Sequence, residues 1–569
     1  MALPLPLPLR PSCLPALLLA CLAPVAAASS LDLAWWRDGK VQALRLQQGS
    51  ATPGQPLAAG AEIPLGSLWK LLVYVYAVDN KLPTPDYHCG GGKQEEVYCC
   101  DAGGSVGRDA ALAQSCGPFY APARLGIALR PWQEYWTRRL GTAPAGQFAW
   151  LADPARLEPA RLVTLESLLR VLASVPAASR VEAEAALLRV VLDGRGAGSV
   201  RWFGSQLRVK TYSWHQAKRP QERLGGGAGW LADGTPLWFG GSDSSSGIFQ
   251  KWGQQIASAL PPAHAAEDSG CVVVDYFTRY PVRAVSGTGG AAAPGPLNGR
   301  YVVQFENGQS LPIRSNGELA LVRGPGGKLQ VRGRLGVNDY VARVIDREAS
   351  AAEPQAARAF AIAARSYLQQ NARRAESCQH ITDSSATQRV SASPASEAAL
   401  AAARWTDQLV LDGAPVQYHR DKPGANTMAW SQALAQARSG MSFDAILAAA
   451  YPGSALATAG NSGTTCKRLA KNEEWLAYAL PRWERLLRRE EGYEAPSQRP
   501  QVCALAVGAP YSEQSRNRIF MRPLATREDR ITLAHEYLHI GLRRHPRGQD
   551  EDYVERLARR LNDLSLEAL

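Results

Sequence analysis

Apolar residues recur along this chain at two different periods. In R-L-V-T-L-E-S-L-L-R-V-L-A-S-V (161–175) they return every three to four positions, which predicts an amphipathic helix. In Q-L-R-V-K-T-Y-S-W (206–214) they alternate with polar residues, which predicts a strand. The first third thus reads as α+β. Composition breaks at S-G-T-G-G-A-A-A-P-G-P-L-N-G (286–299), where Gly and Pro predict a loop or linker. Beyond it Y-V-V-Q-F (301–305) and K-L-Q-V-R-G-R-L (328–335), punctuated by Asn-Gly and Gly-Gly, predict strands and hairpins. A long helix follows in E-P-Q-A-A-R-A-F-A-I-A-A-R-S-Y-L (353–368), and a second Gly/Ser stretch, 459–465, leads into a mostly helical tail. No short solenoid-type repeat is present.

At ~100–200 residues per domain, a chain of 569 residues makes about three or four domains. The first 28 residues carry one basic residue, a 16-residue apolar run and the small residues Ala26-Ala27-Ala28, the pattern of a cleaved secretory signal. A rival reading takes L-L-A-C, ending at Cys21, as a lipoprotein processing box. Cleavage removes Cys13 and Cys21 and leaves Cys89, Cys99, Cys100, Cys116, Cys271, Cys378, Cys466 and Cys503, an even set that in an exported chain predicts disulfides. Their clustering at 89–116 and 466–503 predicts bridges within segments, while the pairing stays open. No C-x-x-C pair exists to hold a zinc. The net charge of +12, +11 without Arg10, suits a partner such as an anionic envelope polymer, and equally suits Arg-rich solvated faces. No Lys/Arg run interleaved with aromatics points to nucleic acid.

Candidate chemistry appears three times. In P-L-G-S-L-W-K-L-L-V, Ser67 and Lys70 stand three apart at an expected helix start, where they share one face and a lysine of lowered pKa can take the serine proton. Ser115-Cys116-Gly117 and Lys210-Thr211-Tyr212 follow. This order resembles the serine β-lactamase and penicillin-binding protein superfamily, with its S-x-x-K, S-x-N and K-T-G motifs. The resemblance implies Ser67 as nucleophile, Lys70 as base, Ser115 as proton relay and Lys210 as a carboxylate-binding cation. Gly117 replaces the expected amide, and Tyr212 replaces a glycine that leaves room for substrate.

In the segment 335–368, Tyr340, Val341, Val344, Ile345 and Glu348 are followed by Ala363, Ala364, Arg365, Ser366 and Tyr367. This resembles the domain of the sporulation stage II D protein and of amidase enhancers. The resemblance implies a lytic transglycosylase acting on peptidoglycan with Glu348 as its acid, since the sugar's own hydroxyl replaces water as nucleophile. Read without it, Glu348 is a carboxylate at a helix N-terminus with Arg365 as its partner. The loop Y-H-R-D-K-P-G-A-N (418–426) stands where that family has Ser-Gly-Gly.

The third candidate is T-L-A-H-E-Y-L-H (532–539). On a helix His535 and His539 are i and i+4, so both imidazoles face one metal, and Glu536 stands beside them to polarise water. The pattern resembles that of zinc metallopeptidases and implies zinc. With only eight histidines in the chain, this spacing is rare by chance. A third ligand is required. Stepping 100° per residue puts Asp550 on the apolar stripe of the next helix, beside Val554, Leu557 and Leu561, so Asp550 is the first choice, with His545 and Glu551 as alternatives.

The expectation is a multidomain α+β protein: a signal peptide over 1–28, a β-lactamase-like domain over 29–265, a strand-rich sporulation-type domain with a long helix over 266–458, and a helical, zincin-like tail over 459–569. Together these parts resemble a family of predicted secreted bacterial proteins often encoded beside bacterial α2-macroglobulins. The expected location is the periplasm or cell envelope and the expected substrate peptidoglycan, with a zinc hydrolase site in the tail. The alternative is a largely non-catalytic wall-binding scaffold that works with an α2-macroglobulin.

Overall fold

A computed structural model describes residues 29–48, 54–91, 96, 98–194, 196–216, 219–261, 270–459, 466–506, 508–545, 547–548 and 550–566. The expected signal segment, and 460–465 of the second Gly/Ser stretch, lie outside the described residues.

The first third is built on a five-stranded antiparallel sheet of β1 (Ser30–Arg37), β2 (Lys40–Gln47), β3 (Leu207–Gln216), β4 (Arg219–Leu231) and β5 (Pro236–Gly241), in the order β2-β1-β5-β4-β3. Strand alternation sends Leu31, Leu33, Val209 and Phe239 into one core and Ala34, Tyr212, Trp230 and Trp238 into another. Helix α1 (Trp69–Asp79) fills the second core, and α2 (Ala177–Leu192) splits its apolar residues between both. Helix α3 (Ser245–Ala259) covers the first with Ile248, Phe249, Trp252 and Ile256.

The middle third carries an eight-stranded sheet, antiparallel except where Val272–Tyr276 pairs in parallel with Cys378–Thr382. Helices α4 (Val337–Glu348) and α5 (Pro354–Asn371) pack against it. The expected loop at 286–299 is a correction. Val282–Gly287, Gly290–Ala291 and Gly295–Phe305 are strands of this sheet, with the turn at Gly290 (φ 98°), a backbone state that only glycine adopts without strain. Similarly, 161–175 is not all helix. Leu162–Thr164 pairs with Glu62–Pro64, and the Thr164 hydroxyl then caps a helix that starts at Leu165, accepting from Ser167 N at 3.2 Å.

The first two parts share one apolar core, so they are not beads on a string. At their junction Gly204 (φ 52°) lies so close to Trp405 that a Cβ would sit 2.4 Å from the Trp405 carbonyl oxygen, and Ser205 N donates to that oxygen at 3.0 Å. The tail has a core of its own around Trp483, Tyr537, Leu538 and Val554, built from the helix Ala470–Leu487, α6 (Arg527–Gly541), α7 (Glu551–Leu566) and a small three-stranded sheet that the periodicity does not predict. It is tied to the first third by an Arg522 to Asp101 ion pair and to the middle by Arg518 donating to the Ser454 carbonyl at 3.1 Å. Four disulfides join Cys89 to Cys100, Cys99 to Cys116, Cys271 to Cys378 and Cys466 to Cys503.

Candidate functional site

Where the tail meets the first third lies a cavity of about 590 Å³. Ser67, Ser115 and Thr211 line it from one side and His535, Glu536, His539 and Glu551 from the other. Glu348 lies outside it.

Helix α6 begins with a reciprocal cap, Thr526 Oγ accepting from Asp529 N at 3.2 Å and Asp529 accepting from Thr526 N at 2.7 Å. One helical turn separates His535 from His539, and the two Nε2 atoms stand 3.1 Å apart. The third member is Glu551, at 3.1 Å from His535 Nε2 and 3.6 Å from His539 Nε2. The two contacts go to different carboxylate oxygens, Oε2 and Oε1, and one ligand atom from each of the three residues lies within 4.8 Å of the others, a grouping that could hold a metal ion.

Asp550, the expected ligand, is elsewhere. It caps α7, accepting from Tyr553 N at 3.1 Å through its side chain and from Val554 N at 2.9 Å through its carbonyl, while Arg547 holds its other oxygen at 2.9 Å. A cap residue has non-helical backbone, so the 100° step does not apply to it, and the inward position falls one residue later, on Glu551. His545 is also excluded: it stacks on Tyr553 at 5.0 Å, and its Nδ1 accepts from Arg547 N at 2.9 Å.

The outward nitrogens are held as well. His535 Nδ1 lies 3.1 Å from Glu555 Oε2, and His539 Nδ1 lies 3.3 Å from the Gly548 carbonyl. Both partners only accept, so each Nδ1 carries the proton and each Nε2 lone pair faces the other and the Glu551 carboxylate. A cation at the centre resolves this crowding of lone pairs. Without one, a second proton must serve: burial lowers His535, but its bonds to Glu551 and Glu555 outweigh burial and raise it to about 10, while burial pulls His539 down to about 4. For Glu551 burial is overcome by the His535 hydrogen bond and the charge of both rings, which lower it to about 2. Burial raises the neighbouring Glu536 to about 7, against the opposing charge of His535. Were a zinc ion held by these three residues, Glu555→Ala would be expected to lower its affinity by about 10- to 100-fold, measurable by competition with a chromophoric chelator.

On the opposite wall Ser67 sits in a one-turn 3₁₀ segment leading into α1. Lys70 Nζ donates to the Ser115 carbonyl at 2.7 Å and to Ser115 Oγ at 3.0 Å, and lies 3.4 Å from Ser67 Oγ. Burial lowers this ammonium to about 7. Ser115 is in the left-handed region (φ 71°), and the neighbouring Cys99 to Cys116 disulfide fixes it. One departure from the family pattern, Tyr212, acquires a meaning, and one expected residue, Lys210, is misplaced. Tyr212 turns into the core, and its Cβ lies so close to Gly66 that a side chain on Gly66 would clash at 2.8 Å. Lys210 is fully buried, donates to the Thr211 carbonyl at 2.8 Å and is not on the cavity wall, so the expected carboxylate-binding role does not fit it.

Glu348 is the last residue of α4, so the helix N-terminal reading is overturned. Arg365 does not meet it; that side chain donates to Asn338 Oδ1 and to the carbonyls of Ala403, Thr406 and Leu409. Glu348 Oε1 accepts from Arg389 N at 2.9 Å. Burial raises its pKa, partly offset by the Arg389 amide and Tyr418, while the charge of Asp383 adds to the rise. Tyr418, the first residue of the loop that replaces Ser-Gly-Gly, is held by Gln388 Nε2 at 2.6 Å.

Sequence reasoning missed Glu555, which holds His535 Nδ1, and the cavity-lining Gln250, Ser512 and Arg201. Only Glu555 left a signal, as the i+4 neighbour of Glu551.

The sequence pattern of the family described as Predicted secreted protein (DUF2300) matches residues 91–221 and 426–547, and both parts contribute residues to the cavity wall. That of the Stage II sporulation protein (SpoIID) family matches 325–412, between them. The chain is 43% identical over 522 residues to the protein described as Uncharacterized protein YfaQ of Escherichia coli (strain K12), covering 91% of this chain and 93% of that one. Among solved structures it is similar to the transpeptidase domain of the FtsI4 D,D-transpeptidase from Legionella pneumophila, with 13% identity, 41% of this chain and 88% of that one covered, and a TM-score of 0.27. It is likewise similar to a class D β-lactamase from Bacillus subtilis, with 12% identity, coverage of 41% and 93%, and a TM-score of 0.28.

Proposed function

Because the chain belongs to the DUF2300 family of predicted secreted proteins, together with YfaQ of Escherichia coli, we propose that it is an exported cell-envelope hydrolase whose cavity holds zinc and cleaves amide bonds. The observation that carries this reading is the triangle of His535 Nε2, His539 Nε2 and Glu551, with each Nδ1 engaged outside it. When bound, the metal supplies Lewis-acid polarisation of the amide carbonyl and of water. The protein's own residues do the rest. Glu536, buried on the cavity wall and hydrogen-bonded by Ser512, takes the proton from the attacking water and returns it to the leaving amine. Glu555 and the Gly548 carbonyl keep the two rings turned inward. Peptidoglycan is the proposed substrate, in line with the SpoIID domain of the middle third.

The mature protein is expected to contain about one zinc per chain, and His539→Ala to lose it; metal analysis after gel filtration reads both. Zinc-free wild type would sink the reading and favour the scaffold alternative.

A second reading has its own observation. Lys70 bridges Ser67 and Ser115 with an ammonium that burial has lowered to about 7, the arrangement of an activated serine nucleophile for acyl transfer. The middle domain adds a separate proposal. Glu348 sits at a helix C-terminus where burial favours its neutral acid, the state that protonates a glycosidic oxygen. Glu348→Ala is expected to abolish release of glycan fragments from purified peptidoglycan, read by mass spectrometry, while leaving zinc content unchanged.

A further inference from the structure

Ser67 and the histidine cluster come from opposite ends of the chain, yet they open into one cavity. Helix α3 joins the two sides. Ser245, at its start, meets Ser213 of β3 with the two Oγ atoms 3.1 Å apart, and further along the same helix the Gln250 amide donates to Glu551. A volume of about 590 Å³ is that of a site for one small ligand.

The wall also holds a cation without a full set of partners. Arg201 Nη1 reaches Gln514 Oε1 at a long 3.4 Å, while its Nε is buried with no hydrogen-bond partner. Gln514 in turn donates to the His539 carbonyl at 2.8 Å, which fixes Arg201 relative to the metal-facing helix. The guanidinium carbon lies 4.8 Å from the centre of the Trp202 ring, a cation–π contact. Among the acids around the cavity, Glu513 is held by Arg516 at 3.0 Å and Glu551 by the histidines. Burial lowers the Arg201 pKa, and Asp444, which accepts from Ser442 Oγ at 2.5 Å, opposes that lowering with a nearby negative charge. With Nε buried, it is the terminal Nη groups of Arg201, one of them held only by the long bond to Gln514, that are left to grip a carboxylate from the cavity.

We infer that the cavity is one substrate site rather than two, that it takes a short peptide bearing a free carboxylate, and that Arg201 is the anchor for that carboxylate. Ser67 and the histidine cluster then flank the same bound backbone. The inference rests on the metal reading for one of its walls.

The test uses mature Ser67→Cys protein loaded with cobalt(II). The eight native cysteines of the mature chain are paired, so the introduced thiol is the single free one. Succinyl-dialanyl hydroxamate supplies a metal-binding group and a carboxylate; its acetyl counterpart lacks the carboxylate. The succinyl compound is expected to shift the cobalt visible spectrum, to slow iodoacetamide alkylation of the introduced thiol at least about tenfold at saturation, and to bind about tenfold more tightly than the acetyl compound, as a charge-assisted carboxylate contact provides. Arg201→Gln should erase that preference while keeping the cobalt spectrum and the thermal midpoint. A spectral shift with the thiol alkylated at its free rate overturns the single site, and a preference that survives Arg201→Gln overturns the anchor. Protein that takes up no cobalt overturns the metal reading and this inference with it, and the missing spectrum distinguishes that result from the other two.

Discussion

Glu536→Gln should leave zinc bound and lower hydrolysis by about 10²- to 10⁴-fold, the contribution expected of a positioned proton acceptor. The split between binding and turnover follows from the geometry. Three ligand atoms come from His535, His539 and Glu551 without help from Glu536, which lines the cavity beside them. Glutamine preserves the shape of this buried side chain and its reach to Ser512, but it cannot take a proton from water. Zinc content by atomic emission and peptide release from peptidoglycan and from casein are the two measurements. Activity equal to wild type with zinc in place would remove Glu536 from the chemistry and the hydrolase reading with it.

On the second proposed reading, in which Ser67 is a nucleophile that a fluorescent penicillin acylates, Lys70→Met should slow that labelling by about 10²- to 10⁴-fold, because it removes the only proton acceptor drawn up to Ser67 Oγ among the described hydrogen bonds. In wild type the rate should rise with pH and level off, with a midpoint near the pKa of about 7 that burial imposes on Lys70. The sign is fixed by which form reacts: below that pH the amine is protonated and cannot accept, above it the amine is free. The same shift acts on stability. Between about 7 and the ordinary lysine value of 10.5 the unfolded chain holds a proton that the folded chain has lost, so this group's contribution to stability rises with pH across that window. A labelling rate that is flat from pH 5 to 9, or unchanged in Lys70→Met, would show that Lys70 is not the base.

The three candidate motifs are legible because each depends on local spacing. Ser67 and Lys70 share a helix face, His535 and His539 share another, and the SpoIID pattern around Glu348 is contiguous. Local rules stop at three other points. A helical step puts Asp550 on the inward stripe, which its own role as a cap forbids, and Gly290 reads as part of a linker although it turns a hairpin within a sheet. Glu348 reads as the start of a helix, since the long apolar pattern of α5 obscures the separate helix α4 that it ends.

The sequence by itself determined that the chain has the pattern of a secreted α+β protein, and where its three candidate motifs stand, because export signals, periodicity and motif spacing act over a few helical turns. Only the tertiary structure decided which of these sites belong together. Cavity walls are made by packing between segments hundreds of residues apart, and no local period encodes that packing. It is the docking of the tail onto the first third, through Arg522 with Asp101 and Gln250 with Glu551, that sets Ser67 and the histidine pair around one shared space and leaves Glu348 outside it.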